Sequence, residues 1–260
     1  LRTAVATALP DNDLGALTES LIRQGGVATD LILRRPADGI GRNTRMGLNF
    51  TERGHGIRAA AGISDRANSA ASQMVSGEID WDDLFGTQGV RWLHTGGIFS
   101  ALSTTTADVA LEAVAAARRH GTVVSYDLNY RASLWAAHPD PDAARRVNRQ
   151  IMAMADVVIG DEYGFDACLG ITGPGEDRRI DPLDSGPFDR LAQRVSNQFP
   201  DVAILAATLR NPRTALRNDW AGVLWERGRR YVSRPYPDLD ILDRVGGGDS
   251  FVAGLAWAIL

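Results

Sequence analysis

The sequence predicts an α/β fold with a mainly parallel central sheet and a small antiparallel flap, and three observations carry the prediction. From Val90 onward, short apolar runs alternate with amphipathic stretches, the pattern of strands and helices taking turns around a parallel sheet. In the first third, Thr44 to Glu52 and Gly56 to Asp65 are strand-like, joined by Arg53 and Gly54 with no helix between them. The length of 260 residues, set against ~150 residues per domain, suits one large domain with at most a small appendage.

Taken in order, Leu14 to Gln24 reads as a helix and residues of about 42–68 as the flap within a single domain. Gly54-His55-Gly56-Ile57-Arg58-Ala59 matches the loose dinucleotide pattern G-x-G-x-x-A, but no strand–turn–helix unit surrounds it, so it reads as a hairpin turn. Gly89 to His94 is a strand, with Trp92 and His94 expected in its core. Thr104 to His120 is a helix with Val109, Leu111, Val114 and Ala115 on one face, closed by Arg118, Arg119 and Gly121. Thr122 to Tyr126 is the next strand. Asp140 and Pro141 form an N-cap and first-turn pair for a helix to about Ala155. Asp156 to Gly160 is a strand, Gly170 to Pro187 a surface loop, Phe188 to Gln198 a helix and Val202 to Ala207 a strand. Trp220 to Trp225 and Arg230 to Arg234 flank Glu226 to Arg229 as an edge hairpin. Trp81, Trp220 and Trp225 are assigned to packing. Phe251 to Leu260 reads as a helix still running where the sequence stops; with a first residue Leu1, this suggests part of a longer protein.

Composition narrows the function. Acidic residues number 32 against 28 basic, a net charge of −4, which gives no basic surface for nucleic acid. The lone Cys168 makes no internal disulfide, and histidines 55, 94, 120 and 138 lack zinc-ligand spacing. With no apolar run near the ~18 residues of a membrane span and no signal-peptide pattern, the expectation is a cytoplasmic protein without a membrane partner. All 28 basic residues are arginine. A Schiff-base aldolase, a P-loop NTPase and a protein kinase each need a lysine that this sequence does not contain.

Ligands of open α/β sheets bind at the carboxyl ends of the parallel strands. The residues following the expected strands are polar or glycine-rich: Thr95-Gly96-Gly97, Asp127 to Arg131, Asp161-Glu162 and Thr208 to Arg213. The most informative block is DRVGGGDSF, Asp243 to Phe251. Successive glycines let backbone N–H groups turn inward as an anion nest, and the helix N-terminus that follows adds partial positive charge. An aspartate beside such a nest suits a base that takes a proton from an alcohol attacking phosphorus. The blander reading, a glycine turn with an aspartate N-cap, loses its appeal once four polar loops converge on the same edge.

With DRVGGGDSF the sequence resembles the ribokinase-like (PfkB) carbohydrate kinases, whose block reads D-x-x-G-x-G-D-x-F, and within them most nearly the 2-keto-3-deoxygluconate kinases. GLNFTERGHGIR at Gly47 to Arg58, SDRANSAASQ at Ser64 to Gln73, WLHTGGIFSALS at Trp92 to Ser103, YDLNYRASLW at Tyr126 to Trp135 and ATLRNPRTALRNDWAGVLW at Ala207 to Trp225 extend the match. The resemblance implies a ribokinase-like three-layer α/β sandwich with a small β lid, ATP and Mg2+ as cofactors, and a homo-oligomer, dimer or larger. It implies Asp249 as catalytic base, also touching substrate, with Gly246, Gly247 and Gly248 as anion hole. It implies Arg131, Ser64 and Arg66 on the sugar acid, Asn129 near the ATP phosphates, Thr208 and Arg210 along the nucleotide, and Glu162 reaching magnesium through water. The sequence departs from the family in lacking its N-terminal Gly-Gly motif and the C-terminal adenine-pocket segment, and in reading Asp161-Glu162-Tyr163-Gly164 where Asn-Glu-Glu-Asp is usual. Two alternatives stay open: a neutral-sugar kinase of fructokinase or ribokinase type, and a catalytically weak binding protein of the same fold.

Overall fold

The computed structural model describes residues 1–172 and 186–260, so residues 173–185 of the expected loop Gly170 to Pro187 lie outside the described residues, and its last two, Gly186 and Pro187, begin a helix. The chain opens with β1 (Thr3–Ala4), β2 (Thr7–Asp11), α1 (Asp13–Gln24), β3 (Val27–Ala28) and β4 (Ile32–Pro36), then the ribbon β5 (Leu48–Glu52) and β6 (Ala61–Asp65). The body follows as β7 (Trp92–Gly96), α2 (Gly97–Ser100), α3 (Thr104–Arg119), β8 (Val123–Asp127), α4 (Ala132–Trp135), α5 (Ala143–Met152), β9 (Val157–Ile159), α6 (Glu162–Leu169) and α7 (Gly186–Gln198). It closes with β10 (Ile204–Pro212), β11 (Arg217–Glu226), β12 (Arg229–Val232), β13 (Tyr236–Asp240) and α8 (Gly247–Ile259).

Seven strands form one sheet in the order β12-β11-β10-β9-β8-β7, with β13 also on β11. From β7 to β10 the pairing is parallel; from β10 outward it is antiparallel. β2–β4 and β5–β6 are separate two-stranded pairs. One face of the sheet packs Val124, Tyr126, Val158 and Leu205 against Val109 and Val114 of α3, Val147 and Ile151 of α5, and Leu191 and Val195 of α7. The other face sets Val157, Ile159 and Ala206 against Val252 of α8. Helices therefore cover the sheet from both sides, which is why β9 is apolar throughout instead of alternating. The buried Tyr126 hydroxyl is satisfied: it donates to Asn148 Oδ1 at 2.6 Å and lies 3.2 Å from Ser100 Oγ.

Local chemistry fixes the element ends. Ser103 caps α3 through a reciprocal pair with Thr106. Arg227 and Gly228, at φ 47° and 88°, make the two-residue turn between β11 and β12. Several expectations shift. The strands expected at Gly89–His94 and Thr122–Tyr126 lie later, at β7 and β8, because Gly96 pairs with Asp127 and the backbone ladder runs on past the last apolar residue. The second flap strand starts at Ala61, and His55 and Arg58 bridge within the turn before it. The helix expected from Asp140 begins at Ala143, since Asp140 is spent on the N–H of Asp142 and the guanidinium of Arg146. Thr208 to Pro212 is not loop but strand, held by the long β10–β11 ladder. His94 is exposed on the edge strand, not core, and Trp92 is half-buried, its Nε1 donating to Ser125 Oγ at 2.8 Å.

Candidate active site

A cleft of about 590 Å³ opens between the β5–β6 ribbon and the carboxyl ends of β8 and β10, with the start of α8 forming one wall. Asn49, Thr51, Gly62 and Ser64 line it from the ribbon, and Arg66 from just beyond; Asp127, Asn129 and Arg131 come from the end of β8; Arg210 and Trp220 come from β10 and β11. Arg244 to Asp249 complete it.

The glycine turn is built by its own sequence. The Asp243 carboxylate accepts the N–H of Val245 at 2.9 Å, and the Arg244 carbonyl accepts that of Gly247 at 3.2 Å. Gly246 sits at φ +80°, a left-handed conformation that costs a side-chain-bearing residue ~1–2 kcal/mol. α8 then begins at Gly247, and among the described residues the N–H groups of Gly248 and Asp249 have no hydrogen-bond partner. Free N–H groups at a helix start, on the cleft wall, are an anion seat.

Charge is sorted along the cleft. No acidic side chain among the described residues pairs with Arg66, Arg131, Arg210 or Arg244, whereas other arginines are paired, such as Arg118 with Asp156 at 2.9 Å and Arg230 with Asp189 at 2.6 Å. Burial, and then the charge of Arg131, lowers the pKa of Arg66, so these two guanidinium groups share one space without a counterion. Arg210 is lowered by desolvation and then by Arg244. Its Nε donates to Asn218 Oδ1 at 2.6 Å, and its guanidinium lies over the Trp220 ring at 5.8 Å. Carboxylates share the cleft: burial pushes Asp127 up to about 6, the N–H of Asn129 pulls the other way, the nearby Asp249 adds to the rise and the charge of Arg131 opposes it. Asp127 Oδ1 accepts that N–H at 3.1 Å, holding Asn129 at φ 27°.

Of the residues singled out in the sequence, Ser64, Arg66, Asn129, Arg131, Arg210, Gly246, Gly247, Gly248 and Asp249 meet in this cleft, while Thr208 and Glu162 do not line it. Thr208 is interior to β10, opposite Gly222. Glu162 stands in the first turn of α6, where burial and then Asp161 raise its pKa. The sequence reading missed Asp127, Asn49, Thr51, Arg244 and Trp220. Trp220 was assigned to packing but walls the cleft; reading Thr208 to Pro212 as strand would have exposed it, since it stands directly across from Arg210.

No family model matches the chain. A solved structure of 2-dehydro-3-deoxygluconokinase from Thermotoga maritima superposes with a TM-score of 0.85 at 32% identity, over 98% of this chain and 72% of that one. A PfkB family carbohydrate kinase from Listeria grayi gives 0.83 at 27%, over 99% and 72%. The chain belongs to the PfkB family of carbohydrate kinases. A curated relative, 2-dehydro-3-deoxygalactonokinase of Haloferax volcanii, is 26% identical over 244 residues, 94% of this chain, and the chain spans 65% of that relative's length. The fold of this PfkB-family chain is the ribokinase-like α/β one that its motifs imply, and its D-x-x-G-x-G-D-x-F block is the turn and helix start that wall the cleft.

Proposed function

We propose that this chain carries the catalytic site of an ATP-dependent kinase for a sugar acid of the 2-keto-3-deoxygluconate class, delivering the 6-phosphate. The observation that carries the reading is the cleft's division: unpaired Arg66 and Arg131 beside the ribbon, the glycine turn and Asp249 opposite. A carboxylate drawn out of water needs cationic donors, and a guanidinium offers two parallel hydrogen bonds to it. A neutral sugar has no use for such a pair. In this reading Asp249 takes the proton of the attacking hydroxyl, while the N–H groups of Gly248 and Asp249 face the charge that develops on the phosphoryl oxygens. Asn129, whose N–H is held by Asp127, is assigned to the phosphates, and Ser64, donating to Asn49 at 2.8 Å, to the sugar from the ribbon side.

Among the described residues no three His, Cys, Asp or Glu side chains gather as a metal cage. A magnesium ion held mainly by nucleotide phosphates and water needs no such cage, and Glu162, in the first turn of α6, stays assigned to reach it through water. Phe50 and Ile63 of the ribbon are 63% and 72% exposed, which supports a homo-oligomer joined through this face. No described helix is long and apolar enough to cross a membrane, and the single cysteine is compatible with a cytoplasmic setting.

The test is a substrate panel of sugar acids and neutral sugars read by ADP release. Turnover of 2-keto-3-deoxygluconate or its galactonate-derived epimer well above fructose and ribose is expected. Preference for a neutral sugar would overturn the sugar-acid assignment, and ATP binding without turnover of any sugar would leave only the binding-protein alternative.

A further inference from the structure

We propose that Arg244, beside Arg210, is a catalytic residue that grips the oxygens of the phosphoryl group as it leaves the nucleotide for the acceptor hydroxyl. The inference rests on the kinase reading above and gives that site its charge-stabilising group. In the step itself the acceptor oxygen bonds to the γ-phosphorus while its proton passes to Asp249. The bond from phosphorus to the β–γ bridging oxygen breaks, and its electron pair departs with ADP. Negative charge spreads over the three outer phosphoryl oxygens and has to be met by fixed positive groups.

The chain has no lysine to meet it, since all 28 basic residues are arginine. Arg244 is the arginine built into the glycine turn. Its carbonyl accepts the Gly247 N–H at 3.2 Å, so its backbone belongs to the same rigid loop that leaves the N–H groups of Gly248 and Asp249 free. Its side chain lines the cleft, and no acidic partner takes up its charge among the described residues. Two neighbouring arginines outside the cleft are paired instead: Arg213 closes on Asp219 at 2.9 Å and Arg217 on Asp240 at 2.6 Å. Arg210 donates to Asn218 and lies over the Trp220 ring, which positions its guanidinium. Arg210 and Arg244 line the same cleft without an acidic partner among the described residues; desolvation first and then the charge of Arg244 disfavour the Arg210 cation, and an anion bridging the two guanidinium groups offsets both. A phosphoryl group has the oxygens to accept from both.

The test compares Arg244→Ala and Arg244→Lys with the unaltered chain in steady-state kinetics, and in calorimetric titrations with a non-hydrolysable ATP analogue and with adenosine. For Arg244→Ala we expect kcat to fall roughly 10- to 150-fold, the range of one lost charge-assisted hydrogen bond. The KM for the sugar acid should stay within about twofold. The analogue should lose affinity while adenosine does not, and Arg244→Lys should recover part of both losses. An unchanged kcat with an unchanged analogue-to-adenosine ratio overturns the proposal. So does a loss confined to the sugar-acid KM, which would place Arg244 at the acid end. If the unaltered chain turns over no sugar acid, yet prefers the analogue to adenosine and loses that preference in Arg244→Ala, the phosphate grip stands and the sugar-acid reading falls.

Discussion

Asp249 combines a carboxylate, the first turn of α8 and a place on the cleft wall, so its contribution can be isolated by charge alone. Asp249→Asn keeps the shape and removes the basicity; kcat should drop by about 10²–10⁴, the usual span of general-base catalysis. Activity within a factor of about two of the parent would remove the assignment. At the other end, Arg131→Ala should raise the KM for the sugar acid roughly 10- to 150-fold, equivalent to ~1.5–3 kcal/mol for a charge-assisted contact, while the KM for ATP moves much less. Arg66→Ala should show a weaker effect from the ribbon side. Asp127 supplies a pH test. Its pKa rises from 3.8 to about 6 on folding, so between these values the folded state holds the proton more tightly than the unfolded chain. Stability therefore falls as pH rises through that window, by on the order of 2–3 kcal/mol. Asp127→Asn keeps an acceptor for the Asn129 N–H but carries no charge. Urea unfolding should show its stability relative to the parent improving from pH 4 to pH 7, and parallel curves would mean that Asp127 is not penalised by burial.

At the scale of the element, two short signals hold the site's frame. Ser103 and Thr106 close the start of α3 by mutual hydrogen bonds, the Thr106 N–H to Ser103 Oγ at 3.1 Å and the Ser103 N–H to Thr106 Oγ1 at 2.9 Å. Ser103→Ala should lower stability by ~1 kcal/mol, seen as an earlier thermal midpoint with unchanged KM values. α2 begins at Gly97, where an added Cβ would meet the Leu128 carbonyl oxygen at 2.1 Å. That carbonyl belongs to the segment leading from β8 to Asn129 and Arg131, so Gly97→Ala has to push the cleft residues aside. It should cost both stability and substrate affinity, whereas Gly89→Ala, in a turn with open space around it, should affect stability alone. The β8 and β10 ends show why element boundaries escaped the sequence. Polar residues such as Asp127 and Thr208 look like loop, but their backbones stay in the ladder because the partner strand decides pairing, not side-chain polarity.

Across the whole molecule, the ribbon stands off the body, every residue of β5 and β6 exposed. If copies of the chain meet through that face, Phe50→Ser with Ile63→Ser should shift sedimentation toward the monomer; an unchanged species would place the contact elsewhere. Much of this was legible beforehand. Alternating apolar and amphipathic stretches dictated a sheet with helices on both faces, because each element has to bury its own apolar side. The absence of lysine and the block Asp243 to Phe251 narrowed the chemistry, since an anion nest and an adjacent base are properties of contiguous residues and need no fold to be recognised. What tertiary structure alone decided was adjacency. Arg66 and Arg131 are 65 positions apart by their numbers, as 131 − 66 = 65, and only the ribbon's placement over the β8 end brings them into one cleft. Arg210, Trp220 and Arg244 likewise meet through the β10–β11 ladder and the turn into α8, while Glu162 and Thr208, equally suggestive in the sequence, do not line the cleft. Local composition can name the groups able to hold phosphate or carboxylate, but the charges a ligand feels are set by distances through space, and those are fixed only when the sheet assembles.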